Sequence, residues 1–372
     1  MLNFRKLKKF ILLGGVVLLA LACGLPGGAS EPEPQPQPLA TVEEIPPEPT
    51  MEEPTATPTW SPNFLYHVEV EDAKFDSLGI SPDGEFFTAA GFPFLNFYDL
   101  DNGELIQSVD FESGAENMVF SPDGSVLGAS FGHGQVMILN PEDGSLIEQM
   151  VTRGNEARID FSSDGEMIAT TRRGNVVTFW NAADYSPIQE VELPTSEWTT
   201  YAIFSPAGNQ LTASRFNCDV NIVDLSSFEV IETLDRGEMG TCQNHGLAYS
   251  PDGAFLAGVE VKVEQTNYVR VWNTEDFQVH VDLPVPQRAN DVHFSPDGNM
   301  LAAAIHSQTA TSPKSNKVMI WSVPDFELLF QVELRGNEAA SDNIINIRFT
   351  NDSTRLVVAR WNGIAEVWQV VP

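Results

Sequence analysis

At 372 residues the chain exceeds what a single hydrophobic core usually supports, so several cores or a repeat array are expected. Its 52 acidic against 20 basic side chains give a formal charge of -32, which repels phosphate backbones and argues against nucleic acid as a partner. Charge of this size serves solubility and leaves fold and function to be read elsewhere.

The chain opens with MLNFRKLKKF, carrying Arg5, Lys6, Lys8 and Lys9, followed by the apolar run ILLGGVVLLALA, which ends at Cys23. Residues 1–22 have the layout of an export signal, because an apolar run of about a dozen residues is shorter than the roughly 18 to 20 that a membrane-crossing helix needs. The stretch ALAC, Ala20 to Cys23, resembles the bacterial lipoprotein signal, which implies lipidation of Cys23 and a membrane anchor through it. Ala20-Leu21-Ala22 also satisfies the small-x-small rule of ordinary signal peptidase. Residues 23–60 are rich in Pro, Glu and Thr, with too little apolar surface to offset ordering entropy, and read as a semi-extended tether of about 3 Å per residue. These features predict an exported protein, lipid-anchored at the outer face of a bacterial membrane or in the periplasm.

Residues 61–372 repeat one phrase. ISPDGEFF, FSPDGSVL, FSSDGEMI, FSPAGNQL, YSPDGAFL and FSPDGNML place Ser81, Ser121, Ser162, Ser205, Ser250 and Ser295 in the same role, and FTNDSTRL adds Thr350. The spacings, by subtraction 40, 41, 43, 45, 45 and 55, match the roughly 40 to 45 of a four-stranded propeller blade. Ser at the first corner, Pro at the second and Gly at the fourth are type I turn preferences, so each phrase is a hairpin corner. Asp83, Asp123, Asp164, Asp252 and Asp297 are accordingly expected to form turns, not to act as catalytic carboxylates or metal ligands.

About 17 residues after each turn begins, a third strand closes on a recurring pair: Tyr98-Asp99, Leu139-Asn140, Trp180-Asn181, Val223-Asp224, Trp272-Asn273, Trp321-Ser322 and Trp368-Gln369. Here residues 60–372 resemble the WD-repeat family, which implies an all-β, seven-bladed propeller of four-stranded antiparallel blades. A fourth strand follows in each of the first six units, as in ELIQSV and SLIEQM. The seventh stops at IAEVWQVVP, and FLYHVEV, residues 64–70, is predicted to supply its missing strand and close the ring.

With the repeated turns on one face, the loops between second and third strands and the links between blades share the other, here called the top. Alignment on the turn brings Arg172-Arg173, Arg215-Phe216 and Arg360-Trp361 to matching top-face positions, with Phe131 and His306 beside them and Trp198 in the link entering blade 4. Guanidinium forks beside aromatic rings suit an anion or acidic peptide, and the competing expectation is that each Arg caps a turn or pairs with a local carboxylate. Cys218 and Cys242 fall on the top face in neighbouring blades and are read as a disulfide; the alternative, zinc held with the CQNH stretch, lacks an evident fourth ligand.

No nucleophile elbow, phosphate-cradling glycine loop, HExxH helix or paired metal ligands is present, so no cofactor or metal is expected. The sequence therefore favours a non-catalytic, membrane-tethered binding or scaffold module using top-face loops for protein partners. The alternatives are an envelope hydrolase or lyase, or a small-anion sensor, with its site at the channel mouth.

Overall fold

The seven corner phrases all make the same bonds. In a computed structural model, which describes residues 61–371 apart from 72, 112–113, 132–133, 152–157, 172–173, 195–198, 216–218, 235–245, 262–266, 307–315 and 336–342, each fourth-corner N–H donates to the first-corner carbonyl at 2.8 to 2.9 Å. The fourth-corner glycines adopt φ of +72 to +76°, a left-handed conformation that Gly takes without a Cβ clash. The first-corner hydroxyl accepts the N–H five residues on, at 2.8 to 3.2 Å, and pins the start of the second strand. In blades 2, 3, 5 and 6 that hydroxyl also donates to the turn Asp, so Asp123, Asp164, Asp252 and Asp297 serve the corner.

Twenty-eight described strands form seven four-stranded antiparallel sheets, each with its first strand innermost. Blade 1 runs Ser77–Ile80, Phe86–Ala90, Phe94–Asp99 and Leu105–Asp110. Blade 7 is composite: Ile344–Phe349, Arg355–Arg360 and Ile364–Gln369 are completed by Asn63–Glu69, pairing antiparallel with Asn63 opposite Gln369. The predicted closure by the N-terminal strand is thus present, and blade 7 has four strands like the other six. Tyr66 of that strand donates to the Leu100 carbonyl of blade 1 at 2.5 Å, and Arg355 bonds the same carbonyl at 2.8 Å and Asp101 at 2.9 Å. Because the outer strand runs from the turn face upward, the strand containing Asn63 starts on the bottom.

Among the described residues the buried apolar side chains form no central core; each of the seven gaps between neighbouring blades holds its own apolar cluster. The closing gap between blades 7 and 1 buries Phe75, Leu78, Phe87, Val357 and Val367. Inner blade strands are therefore covered on both faces, which is why Leu127–Phe131 is buried throughout. What the ring leaves uncovered is its axis, and the inner strands line it.

Candidate functional site

Strand periodicity sends alternate residues of each inner strand into the axial channel. Counting back four from the turn residue gives Ser77, Asn117, Arg158, Tyr201, Gly246, Asp291 and Asn346, one per blade, and all seven line a cavity of about 200 Å³ at the top mouth. Counting back two gives the next layer down: Gly79, Val119, Asp160, Ile203, Ala248, His293 and Arg348. In blades 2, 6 and 7 the first strand carries a bulge above the upper layer, between Ala115 and Asn117, Ala289 and Asp291, and Ile344 and Asn346. The extra residues Glu116, Asn290 and Ile345 join the mouth wall, the re-aiming that a bulge produces.

The upper layer ties blades to one another. Asn117 accepts the Ile159 N–H of blade 3 at 2.9 Å, and Asp291 accepts the Ile347 N–H of blade 7 at 3.0 Å. Arg348 donates to Asp291 at 2.9 Å and extends to Tyr201 of blade 4, forming a polar bar across the channel beneath the mouth. Burial opposes its charge, but Asp291 and Tyr201 more than compensate and hold the guanidinium above its ordinary range. In the layer of Arg348, burial pushes the Asp160 carboxyl up to about 7, against the pull of the Phe204 N–H at 2.8 Å. Burial and the Arg348 charge push His293 down to about 3, and its Nδ1 has no hydrogen-bond partner among the described residues.

Above the bar the charges resolve into two ion pairs and, beside them, Asp76 with Lys74 near it. Glu116 pairs with Arg158 at 3.1 Å across blades 2 and 3, and Asp291 is held by Arg348. The Asp76 carboxylate, at the rim, has no hydrogen-bond partner among the described residues; partial enclosure and then the Glu116 charge raise it, with Lys74 opposing. The Lys74 ammonium lies over the Trp361 ring, 5.0 Å from its centroid. Trp361 is 41% exposed at the mouth, and Phe92, in the facing loop of blade 1, is 61% exposed. The two loops are joined through the 74–76 segment: a Cβ on Gly91 would lie 1.6 Å from the Lys74 carbonyl, so only glycine allows the approach.

Of the sequence-predicted site residues, Trp361 lines the mouth. Arg360 does not reach the surface; it is 2% exposed and donates to Glu366 at 2.8 Å and to the Arg335 carbonyl at 2.8 Å, while Glu366 also accepts the Trp368 indole at 2.9 Å. Phe131 is likewise internal, 1% exposed against Phe111, because its strand is covered on both faces. Both differ from the expected top-face contact. Arg215 and His306 end their strands, at Gln210–Arg215 and Met300–His306. Cys23, Arg172, Arg173, Trp198, Phe216, Cys218 and Cys242 lie outside the described residues. Tyr201, which the sequence places with Trp198 in the link entering blade 4, lines the mouth, while Asp76, Glu116, Arg158 and Phe92 were not foreseen, although the register of the turn alignment already contained the first three.

No protein-family model matches the chain. Three proteins are similar to it. These are the WD repeat and HMG-box DNA-binding protein 1 of Mus musculus, 25% identical over 181 residues, covering 46% of this chain and 14% of that protein; the target of rapamycin complex subunit wat1 of Schizosaccharomyces pombe, 25% over 221 residues, covering 56% and 67%; and the serine-threonine kinase receptor-associated protein of Dictyostelium discoideum, 31% over 99 residues, covering 27% and 32%. The match spans less than two thirds of the mouse and Dictyostelium proteins. Together with seven four-stranded blades, this similarity makes the chain a WD-repeat-like β-propeller.

Proposed function

We propose that the protein is a non-catalytic interaction scaffold that docks protein partners on its top face at the border of blades 7 and 1, tethered outside the cell through Cys23. The observation that carries the docking site is the pair Phe92 and Trp361. The other exposed large apolar residues among those described, Leu65 through Leu328, lie on the outer strands, whereas Trp361 lines the channel mouth and Phe92 stands in the blade 1 loop whose backbone approaches Gly114 next to Asp76. Exposed aromatic rings beside a polar recess are the chemistry of interface hot spots. A mouth of about 200 Å³ is smaller than the roughly 300 to 1,000 Å³ of small-molecule sites, and suits one side chain better than a sugar or peptide substrate. The shifted Asp160 and His293 share the lower layer with Arg348 and are not among the residues that line that recess. Two of the relatives are named for assembly with other proteins, a complex subunit and a receptor-associated protein. The bottom-face position of Asn63 supports a tether that leaves the top free.

The test is capture by the full-length chain from an extract of the source cells, beside the double variant Phe92→Ala, Trp361→Ala. Partners held by the parent and lost by the variant, both folded by circular dichroism, are expected. Identical partners on both would move docking away from this border, and the absence of any protein on either would remove the scaffold reading.

A further inference from the structure

Resting on that docking reading, we infer the chemistry of the partner: a protein segment that inserts a cationic side chain, Arg or Lys, into the channel mouth between Trp361 and Asp76. The sequence-based expectation was an anion or acidic-peptide contact on the top-face arginines, of which Arg172, Arg173 and the Arg215 side chain lie outside the described residues. Arg360 is consumed by Glu366 inside blade 7, and Arg348 by Asp291 at the floor. Arg158 is engaged by Glu116. Outside these pairs the described rim holds the Asp76 carboxylate with the Lys74 ammonium near it, in a chain whose net charge of -32 attracts bases from a distance.

The Trp361 ring already accommodates an ammonium, since Lys74 lies over it at 5.0 Å. That contact is the internal stand-in for the ligand. Lys74 is exposed, on a long flexible stem, and gives way at little cost to a cation that can reach the ring and Asp76 together. The bulge at Glu116 brings a second carboxylate to the same recess, and the Asp76 Oδ2 stands 3.0 Å from where a Cβ on Gly114 would be, so glycine there keeps the approach open. Phe92 supplies an adjacent apolar surface for the residues flanking the inserted side chain. Charge complementarity therefore selects a basic segment, and the volume of the recess limits it to one side chain.

The experiment uses the full-length chain with ¹⁵N-labelled tryptophan, reading the Trp361 indole N–H, assigned by its loss in Trp361→Phe. The probes are the blocked tripeptide Gly-Arg-Gly and its citrulline counterpart, which keeps the shape and removes the charge. A saturable shift with the arginine peptide is expected, with citrulline at least about tenfold weaker. Asp76→Asn should weaken the arginine peptide by about tenfold, and Lys74→Gln should tighten it by freeing the ring. Equal binding of both peptides, no shift with either, or the opposite pair of effects (tighter in Asp76→Asn, weaker in Lys74→Gln) would overturn the cationic assignment. If the aromatic pair still governs partner capture while the peptides fail, the scaffold stands and this inference falls. If the peptides behave as stated and capture ignores the aromatic pair, the docking reading falls and the cation site remains.

Discussion

On the bottom face, Ser121 in blade 2 and Ser250 in blade 5 make the same three contacts: each donates to the turn Asp, at 2.7 and 2.6 Å, accepts the N–H five residues on, at 3.1 and 2.9 Å, and accepts the fourth-corner N–H through its carbonyl. Four residues upstream, at the top mouth, the matching positions are Asn117 and Gly246, which share neither size nor chemistry. The bottom carboxylates are spent on their corners, the serine hydroxyl holding Asp123 and Asp252 below the usual carboxylate range. At the top, the Asp76 carboxylate is raised and lacks a hydrogen-bond partner among the described residues. Repetition survives where a corner must be built seven times, and departures concentrate where nothing structural demands sameness.

The comparison breaks first if the ring opens, because both faces depend on closure. Deleting Asn63–Val70 removes the outer strand of blade 7, the Phe64–Trp368 edge contact at 5.4 Å and the Tyr66 tie to blade 1. Several kcal/mol are lost with this packing, and the melting temperature should fall by about 10 °C or more. A scanning calorimetry trace unchanged from the full chain would show that closure contributes nothing.

Between the two faces, the channel layer of Asp160, His293 and Arg348 gives a second, smaller effect that appears only when its parts are separated. Asp160, raised to about 7, binds a proton in the folded state that the unfolded chain releases above about pH 4, so its contribution falls as pH rises from about 4 to 7. His293, lowered to about 3, declines a proton that the unfolded chain takes below about pH 6.5, so its contribution falls as pH drops from about 6.5 to 3. Over their shared window the slopes oppose, and the parent should show little net dependence from these two groups. Asp160→Asn is expected to leave stability rising with pH, and His293→Leu to leave it falling, in urea melts from pH 4 to 7. Parallel profiles for the two variants would refute the assignment of opposite signs.

How much of this was legible follows from the same contrast. The corner phrase encodes the fold because Ser, Pro and Gly each meet a backbone requirement at a fixed offset, and the N-terminal strand was recoverable because one blade lacked its fourth. Trp361 was found by aligning loops. Arg360, one residue away, was misplaced because its burial depends on Glu366 and Trp368 across the hairpin, partners that no spacing rule announces. The mouth layer was hidden for another reason. Its seven residues are chemically unlike, so a search for recurring types passes over them, and each bulge adds a residue that leaves no mark in composition.

The finest distinction lies within the bottom face, at the one corner that departs from glycine. Ser353 occupies the fourth corner of blade 7 with φ of +61°, where its six counterparts are glycine, and a Cβ there costs about 1 kcal/mol. Its hydroxyl accepts the Asp297 N–H of the blade 6 turn at 3.0 Å, a bond of about 1 kcal/mol that glycine cannot make. Strain and bond therefore nearly cancel, and Ser353→Gly should change stability by less than about 0.5 kcal/mol. Ser353→Ala keeps the strain and loses the bond, so it should be about 1 kcal/mol less stable than the parent. The order serine and glycine together, alanine below, is what chemical denaturation should return. If alanine matched serine, the hydroxyl would carry no weight, and the departure at this corner would be drift of the kind the top face shows, not a repair of the repeated turn.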